Sequence, residues 1–209
     1  MNLNPWKEIP LTDYENHMKH DSVMQLQAIN KLMKGQLDSY SIDNVMIFGI
    51  AGGNGLEHIQ KDKIKKVYCI DVNNLYLQEV IQRYPHLSEI MECLCADLTS
   101  ENIELPETDM VIANLIIEYI GYDCFKKAIL YTKPKYASCI IQINTKDSWV
   151  SDSPYQAVFD PLEQIHNQIE EDELTSAMSE IGYNKINRLE YPLPNGKKLV
   201  QMDYEIYRN

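Results

Sequence analysis

The chain has 209 residues, with 19 Lys and Arg against 31 Asp and Glu, a formal net charge of −12. That length suits one domain with an extension, and 44% hydrophobic residues suffice for a full core. The apolar runs, such as residues 45–51, are far short of the roughly 20 residues that span a bilayer, and the acidic balance, with Lys pairs scattered at 65–66, 126–127 and 197–198, speaks against nucleic acid and membranes as partners.

Residues 1–11 read as irregular, with Pro5 and Pro10. They hold no basic stretch followed by an apolar one, so no secretory signal is expected and the predicted location is cytoplasmic. Five cysteines fit reduced thiols. Cys93 and Cys95 alternate as on a strand, but no Cys or His stands at finger spacing, so the expectation is small buried hydrophobes and no metal. Thr12 and Glu15 form a capping box. The helix it opens has apolar spacing through Met18, Met24, Ala28, Ile29, Leu32 and Met33 up to Lys34, and Gly35 is the predicted stop. Residues 1–40 are thus an N-terminal helical extension, able to act as a lid, before a domain over 41–209.

From residue 45 short apolar runs alternate with amphipathic stretches. Strands are predicted at 45–50, 67–71, 89–95, 109–114 and 137–143, with helices at 55–62, 73–84 and 121–132. This alternation implies parallel βαβ units, an α/β doubly wound sheet covered on both faces. A further helix, 170–181, opens on four acidic residues, carries Leu174, Ala177, Met178 and Ile181 as its stripe and stops at Gly182. Two strand-like segments, 183–191 and 198–207, flank Asn195-Gly196, a hairpin signal. A parallel sheet that ends in an antiparallel hairpin departs from the dinucleotide-dehydrogenase pattern.

Four blocks carry chemistry. The first is the run from Ile47 to Gly55, an apolar strand entering a turn with Gly49, Ile50, Ala51, Gly53 and Gly55. Such a turn admits close backbone approach and presents free amides, and its bland reading is a tight connection. The second is Asp71 at the end of the second strand, where a carboxylate can accept from both hydroxyls of a ribose or else cap the next helix. The third is Asp97, able to accept from an adenine amino group or to cap a turn. The fourth is Asn114, which ends the fourth strand beside the crevice where open α/β sheets bind ligands. A dinucleotide fingerprint from Gly53 would need glycine where His58 stands, and no Gly-Lys-Ser/Thr follows Gly55 for a P-loop.

In this order and spacing the blocks resemble the class I S-adenosylmethionine-dependent methyltransferases, of the small "type 11-like" kind, over residues 45–144. The resemblance implies a seven-stranded Rossmann-like sheet of order 3-2-1-4-5-7-6 with its last strand antiparallel, and S-adenosylmethionine as cofactor. It also implies that the first turn holds the methionine part, Asp71 the ribose, and Asp97 with Leu98 the adenine, with Val72 packed on the adenine face. Two departures stand out. The acidic residue usual two positions before the first glycine is Gly49 here, and that first glycine is Ala51, which fits if its φ is negative. Carbonyls of Gly49 or Asn114, or the side chain of Glu57, are the alternatives for holding the cofactor ammonium.

Methyl transfer needs alignment, and a base only when the acceptor must lose a proton. The substrate-side candidates are Tyr14, His17 and His20 on the first helix, Glu118 and Tyr119 after strand four, and Trp149, Tyr155 and His166 after strand five. Their bland readings are surface helix residues for the first two histidines, a loop staple for Trp149 in the 147–154 loop, and helix cover for His166. The function expected is methylation of a small-molecule acceptor. The alternative is a non-catalytic module that binds the cofactor as a sensor.

Overall fold

The computed structural model describes residues 4–144 and 149–207. Seven strands form one sheet: β1 (Asn44–Phe48), β2 (Lys66–Asp71), β3 (Met91–Cys95), β4 (Met110–Asn114), β5 (Tyr136–Ile143), β6 (Tyr183–Pro192) and β7 (Lys198–Ile206). Their order is β3-β2-β1-β4-β5-β7-β6. The first five are parallel, and β7 runs antiparallel between β5 and β6, with Ile140 opposite Gln201. The expected topology and the terminal hairpin are therefore observed.

Side chains alternate along each strand, so β1 feeds two cores. Met46 and Phe48 join Val111, Phe125, Ile129, Leu174 and Met178 on one face, beneath α4 (Ile117–Thr132) and α5 (Glu171–Glu180). Val45 and Ile47 join Cys69, Leu77, Val80, Met33 and Leu37 on the other, beneath α3 (Asn74–Arg83) and α2 (Gln25–Ser39). The upper half of α2, with Met18 of α1 (Leu11–Lys19), covers Ile140 and Leu199 of the β5–β7 pair.

The N-terminal region differs from its sequence reading. The predicted single helix is two, broken at residues 20–24, where His20 and Ser22 bond to each other and Met24 takes a left-handed conformation at φ +54°. Asp21 and Ser22 are turn formers inside an apolar spacing that runs across the break unbroken. There is no capping box: Pro10 precedes α1 without a side-chain cap, Thr12 lies inside the helix, and Glu15 pairs with Arg83. Gly35 does not stop α2, which continues to Ser39 with Gly35 on its exposed side.

The predicted helix 55–62 is only a single 3₁₀ turn, Leu56–His58. Its apolar residues Leu56, Ile59 and Ile64 form too short a stripe to offset helix nucleation, and α2 lies against it instead, with Met33 over Gly55. Helix α4 starts four residues before the predicted 121 and bends at Gly121, with φ +71° and ψ 171°. A 3₁₀ stretch at Gln156–Gln164, unpredicted and containing Pro161, packs Phe159 and Leu162 with Ile9. Cys95 is exposed and Cys93 half-buried, contrary to the expectation of buried thiols.

Candidate active site

At the C-terminal ends of β1, β2, β3 and β4 lies a cleft of about 670 Å³ that is partly open to solvent. Its floor is the turn after β1. Gly49 has φ +67°, and a Cβ there would meet the Ile116 side chain at 3.1 Å. Ala51 is left-handed at φ +47°, not at the negative φ expected of it. That conformation costs a non-glycine residue roughly 1–2 kcal/mol. It is held by the Ala51 amide, which donates to Asp71 Oδ2 at 2.9 Å. A second left-handed non-glycine, Leu115 at φ +55°, follows Asn114 on the other side of the crevice. Backbone strain of this kind clusters at ligand sites.

Asp71 is buried, and its Oδ1 accepts the Asn73 amide at 2.9 Å. It does not cap α3, because Asn73 does so by accepting the Leu75 amide. Burial raises the Asp71 carboxyl to about 6, against the lowering influence of the nearby Asn73, Ala51 and Val72 amides. Each of its oxygens keeps a lone pair for a ligand donor. Val72, Asp97 and Leu98 line the same cavity. Burial acts to raise Asp97, but the Thr99 hydroxyl at 2.6 Å, the Thr99 amide and the Asn4 amide group at 3.1 Å outweigh it and hold it below the usual carboxylate value.

Residues 4–9 fold back over this cavity. Asn4 reaches Asp97, Asn73 donates to the Trp6 carbonyl at 3.0 Å, and the Tyr76 hydroxyl donates to the Ile9 carbonyl at 2.8 Å. The Trp6 indole N–H is buried and has no hydrogen-bond partner among the described residues, at a cost of about 1–3 kcal/mol while it stays unmet.

A second cavity of about 620 Å³ adjoins the first. Trp6, Tyr14, Leu115 and Tyr119 line both and form the partition. Trp6 packs edge-on against Tyr14 and Tyr119, with centroids 5.8 and 4.9 Å apart. Beyond the partition are His17, Glu118, Trp149 and His166. His17 is only 4% exposed, contrary to its surface reading, and bonds Ser153 at 2.8 Å. Burial, with Lys197 nearby, lowers His17 and His166 each to about 4, so both are neutral at neutral pH. His166 stacks on Trp149 at 4.1 Å. Glu118 is buried, with Oε1 accepting the Gln142 amide at 2.9 Å and Oε2 meeting no partner among the described residues. Burial raises it to about 7. His20 and Tyr155 line neither cavity. The loop predicted at 147–154 begins outside the described residues.

A third cavity, of about 490 Å³, extends from the first between α1, α2 and the turn. Tyr14, Gly49, Ala51 and Asn114 line both, and Ile50 and Glu15 line the third. Gly53 and Gly55 face packing neighbours: a Cβ on either would strike Tyr84 or Met33. Glu57 is turned away, accepting from the Gly55 amide and from Asn30. The acid that does reach the turn is Glu15, paired with Arg83 over Gly52. The Asn114 side chain is paired with Gln36 by two hydrogen bonds, each side-chain amide donating to the other's oxygen. Asn4, Trp6, Glu15, Tyr76 and Leu115 were missed in the sequence. A tryptophan and an asparagine in a proline-punctuated leader were the one visible signal, since such a segment has no apolar stripe of its own to justify an indole.

No protein-family model and no curated protein matches the chain. Solved structures do. The N-methyltransferase NodS from Bradyrhizobium japonicum WM9 is similar at TM-score 0.63 and 13% identity, over 87% of this chain and 96% of that one. A geranyl diphosphate methyltransferase in complex with SAM (S-adenosylmethionine) is similar at TM-score 0.65 and 10% identity, over 86% of this chain and 85% of that one. The [4+2]-cyclase SpnF is similar at TM-score 0.66 and 8% identity, over 87% of this chain and 82% of that one. With the strand order and the reversed β7, these likenesses give the chain the fold of the class I SAM-dependent methyltransferases.

Proposed function

We propose that this chain binds S-adenosylmethionine across the first and third cavities and transfers its methyl group to a small acceptor held in the second. The observation that carries the reading is the shared partition. Two cavities meet at Trp6, Tyr14, Leu115 and Tyr119, at the strand ends where α/β sheets bind ligands. The residues fit the cofactor. Asp71 has lone pairs free for ribose hydroxyls, Asp97 and Leu98 border the space beyond it, and Gly49 and Ala51 bring backbone against the methionine end. Gly53 and Gly55 support the turn from behind.

When bound, the cofactor supplies a methyl group already activated on a sulfonium. The protein's part is then alignment and exclusion of water. The aromatic partition positions the two ligands edge to edge, and residues 4–9 close the cofactor side. The walled second cavity and the charge of −12 favour a small acceptor over a nucleic acid. Among the described residues no helix is long and apolar enough to cross a membrane. We assign the cytoplasm as the site of action.

The competing reading is a cofactor-binding module without transfer, and the likeness to a cyclase shows that the fold alone does not decide between them. Two measurements separate them. Calorimetry with S-adenosylhomocysteine tests the cofactor site. Incubation of a metabolite extract with methyl-labelled S-adenosylmethionine tests transfer. Binding with a labelled product supports the enzyme, and binding without any product supports the sensor.

A further inference from the structure

Among the described residues the second cavity carries one acid, Glu118, and its environment defines what it can hold. Glu118 lies at the start of α4, just before the Gly121 bend, and is clamped from both sides. The Asn167 amide and side chain both donate to its backbone carbonyl, at 2.6 and 3.1 Å, and the Gln142 amide donates to Oε1 at 2.9 Å. Oε2 is buried and meets no partner among the described residues. A buried carboxylate oxygen without a donor is costly, and a cationic or N–H-bearing ligand removes that cost.

The walls are aromatic. Trp6, Tyr14, Tyr119, Trp149, Phe159 and His166 line the cavity. Trp149 meets Tyr119 edge-on at 6.2 Å and His166 face-on at 4.1 Å. Aromatic faces attract cations within about 6 Å of their centroids. Among the described residues the other titratable groups leave Glu118 unopposed. His17 and His166 are neutral at neutral pH, and Lys197, behind the wall, donates to the Trp149 carbonyl at 2.6 Å. Lys197 is not among the cavity-lining residues. The Tyr14 and Tyr119 hydroxyls are pushed up by burial and stay protonated.

Building on the proposed transferase reading, we propose that the acceptor is a primary or secondary amine, bound with its nitrogen on Glu118 Oε2 and its carbon frame against the aromatic walls. The step balances. The amine enters as an ammonium and gives one proton to Glu118. The freed nitrogen lone pair forms the new C–N bond as the S–CH₃ bond breaks, and that bonding pair stays on sulfur. The products are the methylated ammonium and S-adenosylhomocysteine, and the proton on Glu118 passes to water. A carboxyl raised by burial to about 7 can hold and release that proton near neutral pH.

The test uses the full chain saturated with S-adenosylhomocysteine and matched probes, methylamine against methanol and benzylamine against benzyl alcohol and benzoate. Calorimetry is expected to give at least one amine bound more tightly than its neutral and anionic partners by about tenfold or more. Glu118→Gln, which keeps shape and the acceptor for the Gln142 amide, is expected to erase that preference while the S-adenosylhomocysteine affinity stays within about twofold. The wild-type comparison stands even if the variant folds poorly. A second arm gives methyl-labelled S-adenosylmethionine with panels of amines, phenols, thiols and carboxylates, and label is expected on amines alone. Preference for the alcohol or the carboxylate, no binding of either amine, or label on another class overturns the amine assignment. The two levels separate cleanly: label on phenols, thiols or carboxylates leaves the transferase reading intact and removes only the amine, whereas no label on any class, or no S-adenosylhomocysteine binding, removes both.

Discussion

Asp71 braces the strained turn at Ala51 and is the proposed partner of the ribose. Its carboxyl is raised by burial to about 6 in the free protein, above its ordinary value. Below that ordinary value the folded and unfolded chains hold the same proton. As pH rises toward 6, deprotonation costs the folded state more, so this group's share of stability falls across that window and is constant above it. Ligand binding has the opposite sign. Ribose hydroxyls donate to the charged form, so the affinity for S-adenosylhomocysteine is expected to rise from pH 5 to pH 6 and level off above about 7, with proton release on binding at the acid end. Asp71→Asn is expected to weaken binding by about tenfold or more, because it replaces hydrogen bonds to a charged acceptor worth about 1.5–3 kcal/mol each, and to flatten the pH profile. Calorimetry in two buffers of different ionisation heat checks both. An unchanged profile would reduce Asp71 to a brace for Ala51. Neither this strain nor the bond from Asn4 to Asp97 was legible beforehand. The motif showed an acid at a strand end, but the partner of that acid is decided by chain packing across many residues, as with Glu15, whose place beside Gly52 depends on Arg83 in another helix.

At the scale of elements, the strands were legible because parallel strands covered on both faces are short continuous apolar runs bounded by turns, and 45–50 and 109–114 lie within two residues of β1 and β4. The helices were less so. Apolar spacing continued through Ser22, and Gly35 punctuates a helix it does not end. Two glycines now separate by mechanism. Nothing lies within 4 Å of a Cβ built on Gly35, so Gly35→Ala is expected to stabilise the protein by about 1 kcal/mol, the helix propensity difference. Gly121 occupies backbone space open almost only to glycine, so Gly121→Ala is expected to cost about 1–3 kcal/mol, although a Cβ there is not crowded. Thermal melts should move up for the first and down for the second, by roughly 2–4 °C per kcal/mol for a chain of this size. The same bend separates Glu118 and Tyr119 from the core half of α4, so Gly121→Ala should also disturb the second cavity. We confine the lid proposal to residues 4–19, since α2 buries its apolar face against the sheet core beneath α3 and against the β5–β7 pair. If this segment closes on the cofactor, S-adenosylhomocysteine should slow hydrogen exchange in 4–19 more than in β6 and β7. Exchange already slow and unmoved by ligand would make it fixed scaffold.

Over the whole molecule, the reversed β7 joins the parallel sheet to an edge strand, β6, whose residues 184–190 are exposed and include Lys185, Arg188 and Glu190. Charges of this kind blunt an edge against pairing with another chain. The cavities lie away from both edges, over the C-terminal ends of the central strands β1 and β4, with the left-handed Ala51 and Leu115 beside them. The topology could be anticipated from the order of apolar runs and the Asn195-Gly196 turn, but the division of the crevice into two adjoining cavities, the proposed cofactor and acceptor sides, could not. It depends on Trp6, which reaches the site only because residues 4–9 are pinned by Asn73, Tyr76 and Asp97. The proposed function requires that these two cavities serve one transfer reaction. The most direct measurement is mass spectrometry of a metabolite extract incubated with the protein and S-adenosylmethionine carrying a deuterated methyl group. The predicted result is at least one small molecule that gains the labelled methyl, with S-adenosylhomocysteine formed in equal amount and both reduced with Asp71→Asn at a cofactor concentration below saturation. Tight S-adenosylhomocysteine binding with no labelled product from any extract would contradict it.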